Sequence, residues 1–308
     1  MIHCDVMITR YTQQGATWAD LYNPSHEEIR EVMEEYGIEP GLMGDLTSPV
    51  PRSGAVSAHG VIKVTLDFPV VKLSEREQPQ EIKFLIGKKV LVSVRYGDIA
   101  ALDRFAKEFE VAATLQKTKK SPNGGHIFVG LMNALYAALA QKLDYMEARL
   151  TDIEEEMFDE HEKAMVVEIS RVSQRLIMFR QTLMVHESVL AEVKPLFHEL
   201  FSPVCADAIT DLELTFHTLA RDLATLTANI IELRETNNSL LFTKQNEIMQ
   251  TLTVMASITF PLALLSSIFG MNTVLPLTGT PDDFWLIIGI MLIAAGLLFL
   301  LFRQKRWL

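Results

Sequence analysis

Counted by sevens, Ser239, Asn246, Thr253, Phe260 and Ser267 share one row of the chain, and Phe242, Met249, Ala256, Ala263 and Gly270 share the row beside it. At about 100° per residue the two rows form a single face of a helix. A coiled-coil seam would place branched apolar residues there. Hydroxyls, a carboxamide and small side chains instead offer neutral oxygen and close approach. Such a face suits tight packing of membrane helices through small residues, and it equally suits the lining of a water-filled pore. Periodicity leaves both readings open. Other chemistry is excluded more firmly. The eight histidines, among them His126, His161, His186 and His198, lack the paired spacing of a zinc site. Cys4 and Cys205 lie far apart and match no metal spacing, which suits a reducing compartment. The chain has no P-loop, GxGxxG or nucleophile elbow, so it carries no signature of an enzyme. A net charge of -11 opposes a nucleic-acid partner.

The elements that must hold this face follow from charge and hydropathy. The chain has 28 Lys and Arg and 39 Asp and Glu residues, yet between Glu247 and Arg303 the only charges are Asp282 and Asp283. A soluble chain is thereby excluded. A bilayer core takes about 20 apolar residues as a helix, and Leu252 to Met271 and Phe284 to Phe302 supply two such segments. The loop between them, 273–283, has no Lys or Arg, whereas Arg303, Lys305 and Arg306 follow the second span. The positive-inside rule then predicts both termini cytoplasmic, and the expected location of this multi-pass chain is the inner (plasma) membrane. Asp282 and Asp283 would face outside, where their field concentrates cations or simply keeps the loop soluble.

Residues 1–125 mix strand-like runs at Val61–Phe68, Glu81–Ile86 and Val90–Val94 with helical stretches near Ser25–Tyr36 and Ile99–Glu110, the pattern of a small α/β domain. Turn residues from Ser121 to Gly125 end that pattern. Residues 126–250 read as helix. One helix runs from about Ile127 to Met157, and a second from about Glu162 to Leu200, which Pro195 is expected to end or kink. Beyond Pro203 a third starts at about Asp207 and keeps a seam at Leu212, Phe216, Leu219, Leu223, Leu226, Ile230, Leu233 and Leu240. Continued to Phe269 it would be roughly 95 Å long, a stalk rather than a globular helix. Residues 251–308 hold the two spans. The predicted fold class is an α+β membrane protein with an N-terminal cytoplasmic α/β domain, a long-helix funnel with a stalk helix, and two C-terminal transmembrane helices. Two helices per chain cannot enclose a water-filled path in lipid, so conduction requires an oligomer. The run from Asp152 to Glu162 holds seven carboxylates at a helical hairpin, either a solvated tip or a cation attractor.

Phe269-Gly270-Met271-Asn272 closes the first span, a short acidic loop follows, and the second span ends in Arg303-Gln304-Lys305-Arg306-Trp307-Leu308. Together with residues 246–253, Phe260-Pro261-Leu262 and, more weakly, residues 18–24, this closely resembles the CorA family of magnesium channels within the two-helix GxN metal ion transporters. The resemblance implies a homopentamer in which the first span of each subunit lines a pore. Gly270, Met271 and Asn272 would then form the selectivity filter at the outer mouth, with Asn246, Met249, Leu252 and Phe260 as pore positions and Thr253, Ala256 and Ala263 on the same stripe. Ala263 departs from the family, which commonly has a threonine there. Mg²⁺ demands octahedral oxygen coordination and gives up water reluctantly, so a ring of Asn272 amides that bonds the hydration shell suits it better than a carboxylate cage. An asparagine closing the helix as a left-handed cap is the alternative. Met249 and Leu252 would close a narrow ring by dewetting, or they are plain core packing.

The resemblance also implies closure by cytoplasmic Mg²⁺ bound between subunits. One family carboxylate falls on Asp211, and Glu235 replaces another. The partner of Asp211 falls near Val71 and Lys72, so Asp67, Glu75 or Glu77 would have to substitute. The expected activity is Mg²⁺ uptake, with the bilayer, divalent metal ions and other copies of the chain as partners. The alternatives are a zinc, cobalt or nickel transporter of the same superfamily and a membrane-anchored oligomeric scaffold, which the polar stripe disfavours.

Overall fold

The structure is a computed structural model that describes residues 7–42, 46, 53–69, 79–115, 122–158, 162–271 and 283–305. Six strands, β1 (Met7–Gln13), β2 (Ala16–Tyr22), β3 (Gly54–Ala58), β4 (Val61–Phe68), β5 (Gln80–Ile86) and β6 (Val90–Arg95), form one sheet in the order β1-β2-β6-β5-β4-β3. The second and third strands in that order, β2 and β6, are parallel, and every other neighbouring pair is antiparallel. Period-two alternation divides its residues between two cores. Trp18, Ile62, Val64, Leu66, Ile82 and Phe84 face a layer of long helices. Ala19, Leu21, Leu85, Val90, Val92 and Val94 face the other way, where α1 (His26–Glu35) covers them with Ile29, Val32 and Met33. The start of α1 is fixed by a capping box, in which Ser25 Oγ accepts from the Glu28 N–H and the Glu28 carboxylate accepts from the Ser25 N–H.

The helical part comprises α2 (Ala100–Leu115), α3 (Gly124–Phe158), α4 (Glu162–Leu200), α5 (Pro203–Phe269) and α6 (Asp283–Gln304). The first residue of α3 lies so near the β5–β6 turn that a Cβ at Gly124 would run into the main-chain oxygens of Gly87 and Val90. A glycine there lets the helix dock against the sheet. One continuous apolar cluster then runs from the sheet through α3 and α4 to Leu233 of α5. The predicted seam residues Leu212, Phe216, Leu219, Leu223, Leu226, Ile230 and Leu233 are all buried, and Leu240 packs at its edge.

Two prolines act differently from expectation. The helix α4 continues through Pro195 to Leu200. The proline deprives the Ala191 carbonyl of its helical donor, but Val193 and Phe197 on either side are fully buried, and this packing keeps the segment helical beyond the proline. Pro203 begins α5 instead of preceding it, because the missing N–H costs nothing in a first turn. The lower part of α5 and the whole of α6 are long and apolar enough to cross a membrane and lie almost bare in the single chain.

Candidate ion path and regulatory positions

Nine of the fifteen predicted site residues are carried by α5. It opens at Ser202, which is extended (φ -66, ψ 156), and its 67 residues give a rod of about 100 Å. Leu240 is the last residue of α5 to pack on the cluster shared with the other long helices, and in the membrane part α5 packs on α6. Val254 is the one buried residue of that stretch, at 3% exposure. Stepping about 100° per residue from Val254 puts Asn246, Thr253, Phe260, Met249, Ala256, Ala263 and Leu252, in that order, between about 80° and 200° round the helix. The predicted stripe is therefore one face, turned away from the buried line. Met249 and Leu252 are each 58% exposed and Phe260 72%, so nothing within the chain covers them.

The hydroxyls on and near this face share one arrangement. Thr253 Oγ1 donates to the Met249 carbonyl at 2.7 Å, and Ser239 Oγ donates to the Glu235 carbonyl at 2.9 Å. With its proton committed to the helix, each oxygen presents only acceptor lone pairs outward. Water molecules around a cation point their hydrogens outward, so such oxygens match a hydrated cation and not a hydrated anion.

The helix ends at Gly270, whose N–H bonds the Ser266 carbonyl at 2.9 Å, and the Met271 N–H reaches the Ile268 carbonyl at 3.3 Å. Gly270 is right-handed (φ -83, ψ -5), so left-handed freedom is not what it supplies. A Cβ there would sit 3.1 Å from the Ser266 oxygen, a tight approach. Met271 is exposed. Asn272 and Asp282 lie outside the described residues, as do Val71, Lys72, Glu75 and Glu77; Asp283 opens α6 with its main chain.

The regulatory candidates are scattered within one chain. Asp211 and Glu235 are exposed on α5, 24 residues and thus about 36 Å apart along the axis. Asp67 is half-buried in β4, directly opposite Glu81 of β5. Burial raises its carboxyl pKa, the Glu81 charge adds to this, and Ser53 Oγ at 3.5 Å offsets it weakly. Among the described residues no three or more His, Cys, Asp or Glu side chains assemble as a metal site. At the acidic tip, Arg149 pairs with Asp152 at 3.0 Å and reaches Glu168 of α4 at 3.5 Å, above buried Ile153, Met157 and Met165.

One polar centre has no counterpart in the sequence patterns. His186 is fully buried and lies 3.0 Å from Tyr136 Oη and 2.7 Å from the Asp67 main-chain oxygen. Those partners stand 50 and 119 residues away in sequence, so no local spacing signals them.

A family model described as "CorA-like Mg2+ transporter protein" matches residues 13–305. The chain is 22% identical to the cobalt/magnesium transport protein CorA of Methanocaldococcus jannaschii over 304 residues, covering 94% of this chain and 91% of that one. It is 22% identical to the Thermotoga maritima protein of the same name over 306 residues, covering 95% and 83%. The complete structure of the Methanocaldococcus jannaschii CorA magnesium transporter superposes with a TM-score of 0.83 at 19% identity, over 96% of this chain and 92% of that one.

Proposed function

Because the chain belongs to the family of CorA-like Mg²⁺ transporters, and so to transporters and not enzymes, we propose that it assembles as a homopentamer in the cell membrane and admits Mg²⁺ to the cytoplasm down its electrochemical gradient. The observation that carries this reading is the stripe from Asn246 to Ala263. It is unpartnered in one chain, turned away from Val254, and furnished with acceptor oxygens. Five such faces around an axis would enclose a path that two helices cannot. Gly270, Met271 and Asn272 form the filter at its outer end, where neutral amides bond the hydration shell of an ion that dehydrates reluctantly. Met249 and Leu252 form the apolar constriction toward the cytoplasm, which closes by excluding water. Asp282 and Asp283 draw cations to the mouth. Residues 1–125 and 126–250 act as a cytoplasmic regulator in which Mg²⁺ at Asp211, with Asp67 of a neighbouring subunit and Glu235 nearer the axis, holds the closed state.

Purified protein in liposomes tests the reading when uptake is followed for Mg²⁺, Co²⁺, Ni²⁺ and Zn²⁺ in parallel. Mg²⁺ uptake that Asn272→Ala abolishes, with the pentamer intact by size, is the expected result. Uptake of Zn²⁺ without Mg²⁺ would select the zinc transporter, no uptake of any ion the scaffold, and full activity of Asn272→Ala would remove the filter assignment.

A further inference from the structure

Four elements meet at the ring of His186 on α4. A main-chain carbonyl can only accept, so the 2.7 Å contact with the Asp67 oxygen on β4 requires the proton on Nε2. Nδ1 is then an acceptor, and Tyr136 of α3 donates its hydroxyl proton to it at 3.0 Å. From α5, Phe216 stacks on the ring at 6.0 Å between centroids and 12° between planes. Phe68 closes the remaining side edge-on at 5.0 Å. Tyr136 is 1% exposed and His186 is 0% exposed, so no water can replace either partner.

We propose that His186 is a positioning residue that couples the end of β4 to the stalk, so that a cation acting on Asp67 or Asp211 is registered by α5 as a whole. An apolar side chain would fill this space without caring where β4 lies. The imidazole cares, because withdrawal of the Asp67 carbonyl leaves a buried N–H without an acceptor, and withdrawal of Tyr136 leaves a buried hydroxyl without one. Both regulatory candidates connect to this ring through the main chain. Asp67 is held through its own main chain, and Asp211 precedes Phe216 by five residues on the same helix. The coupling rests on the regulatory reading above.

The test uses the full-length pentamer in detergent, limited proteolysis against a Mg²⁺ series, and thermal unfolding of the same samples. The variants are His186→Phe, the pair Tyr136→Phe with His186→Phe, which leaves no orphaned hydroxyl, and His186→Gln, whose amide can still donate to Asp67. Phe128→Leu serves as a core control away from the joint, since Phe128 packs on Phe84 and Phe197. His186→Phe and the pair should raise the Mg²⁺ concentration of half-protection by at least about fivefold, the lower end of allosteric coupling, while His186→Gln stays within about twofold of wild type. Assembled His186→Phe with wild-type half-protection overturns the proposal. So does an equal displacement in Phe128→Leu at a matched loss of thermal midpoint, which would make the effect one of general destabilisation. If wild type is protected at no Mg²⁺ concentration, the regulatory reading fails and this one falls with it.

Discussion

A histidine enclosed by Tyr136, Phe68 and Phe216 has to fold without charge. Burial pushes its imidazole down to about 4 from an ordinary 6.5, and the bond to the Asp67 carbonyl offsets only part of this. The unfolded chain therefore takes up the proton near pH 6.5, whereas the folded chain refuses it until near pH 4. Stability is untouched above that window, falls as pH drops through it, and levels off below, with a total loss of about 3 kcal/mol from this one group. The quantity to measure is the difference in thermal midpoint between wild type and His186→Phe across pH 4 to 7, in which the carboxylates common to both cancel. A difference that is flat with pH would mean that His186 is charged or hydrated in the folded chain. At this scale the sequence speaks unevenly. Gly270, Met271 and Asn272 are contiguous and sit at the exit of a span, so their grouping is local and readable. The His186 joint is assembled only by folding, from residues whose separation no window covers.

The helix α5 shows two faces that ask different things of their residues. Leu226 is buried in the seam, and Leu226→Ala should cost about 2–5 kcal/mol and lower the thermal midpoint. Met249 is bare in the single chain, so Met249→Asn should leave the midpoint nearly in place while wetting the constriction and raising basal flux in liposomes. The reverse pattern would make Met249 a core residue and the stripe a packing surface. The seam was readable because seven apolar positions from Leu212 to Leu233 keep the helical period without interruption. The strands β1, β2 and β3 were not. The strand β2 carries Asp20 in its middle, and a charge there argues against a buried strand until its partners are known. Arg95 donates to Asp20 Oδ2 from Nε at 3.1 Å and from Nη2 at 2.9 Å, and Ser93 donates to Oδ1 at 2.6 Å, all within the helix-covered sheet. The ion pair of β2 with β6 made both ends tolerable, and it spans 75 residues. One proline misled in the opposite direction. Pro195 stands inside a continuous helix because buried neighbours hold it, whereas the helix that runs through Pro261 was read correctly.

For the proposed pentamer with one regulatory site in each subunit, the decisive arithmetic is collective. Moving a population from 1:99 to 99:1 takes about 5.5 kcal/mol, which five equivalent sites supply at roughly 1.1 kcal/mol each. Such sites are individually weak, so the response should be graded across millimolar Mg²⁺. Asp211→Lys places a fixed positive charge where the ion would bind and should abolish Mg²⁺-dependent protection from protease; protection identical to wild type would exclude Asp211 from regulation. The proposed channel also has a mechanical property that its chemistry alone does not convey. The 67 residues of α5 form one continuous helix, so under the gating proposed above it would act as a lever with its fulcrum beside His186. Phe216 and Met249 are 33 residues apart, or about 50 Å along the axis, so a tilt of about 3° at the top sweeps the constriction sideways by roughly 2.5 Å. That is enough to pass or exclude a water layer without any local rearrangement at Met249. Stiffness is then as necessary as any ligand. Asn238 and Ser239 are exposed and off the seam, and replacing both by glycine would soften the rod for less than about 1 kcal/mol of helix stability. The softened pentamer should still bind Mg²⁺ and still be protected in its cytoplasmic part, yet its flux should no longer follow cytoplasmic Mg²⁺, because a lever that bends delivers no stroke.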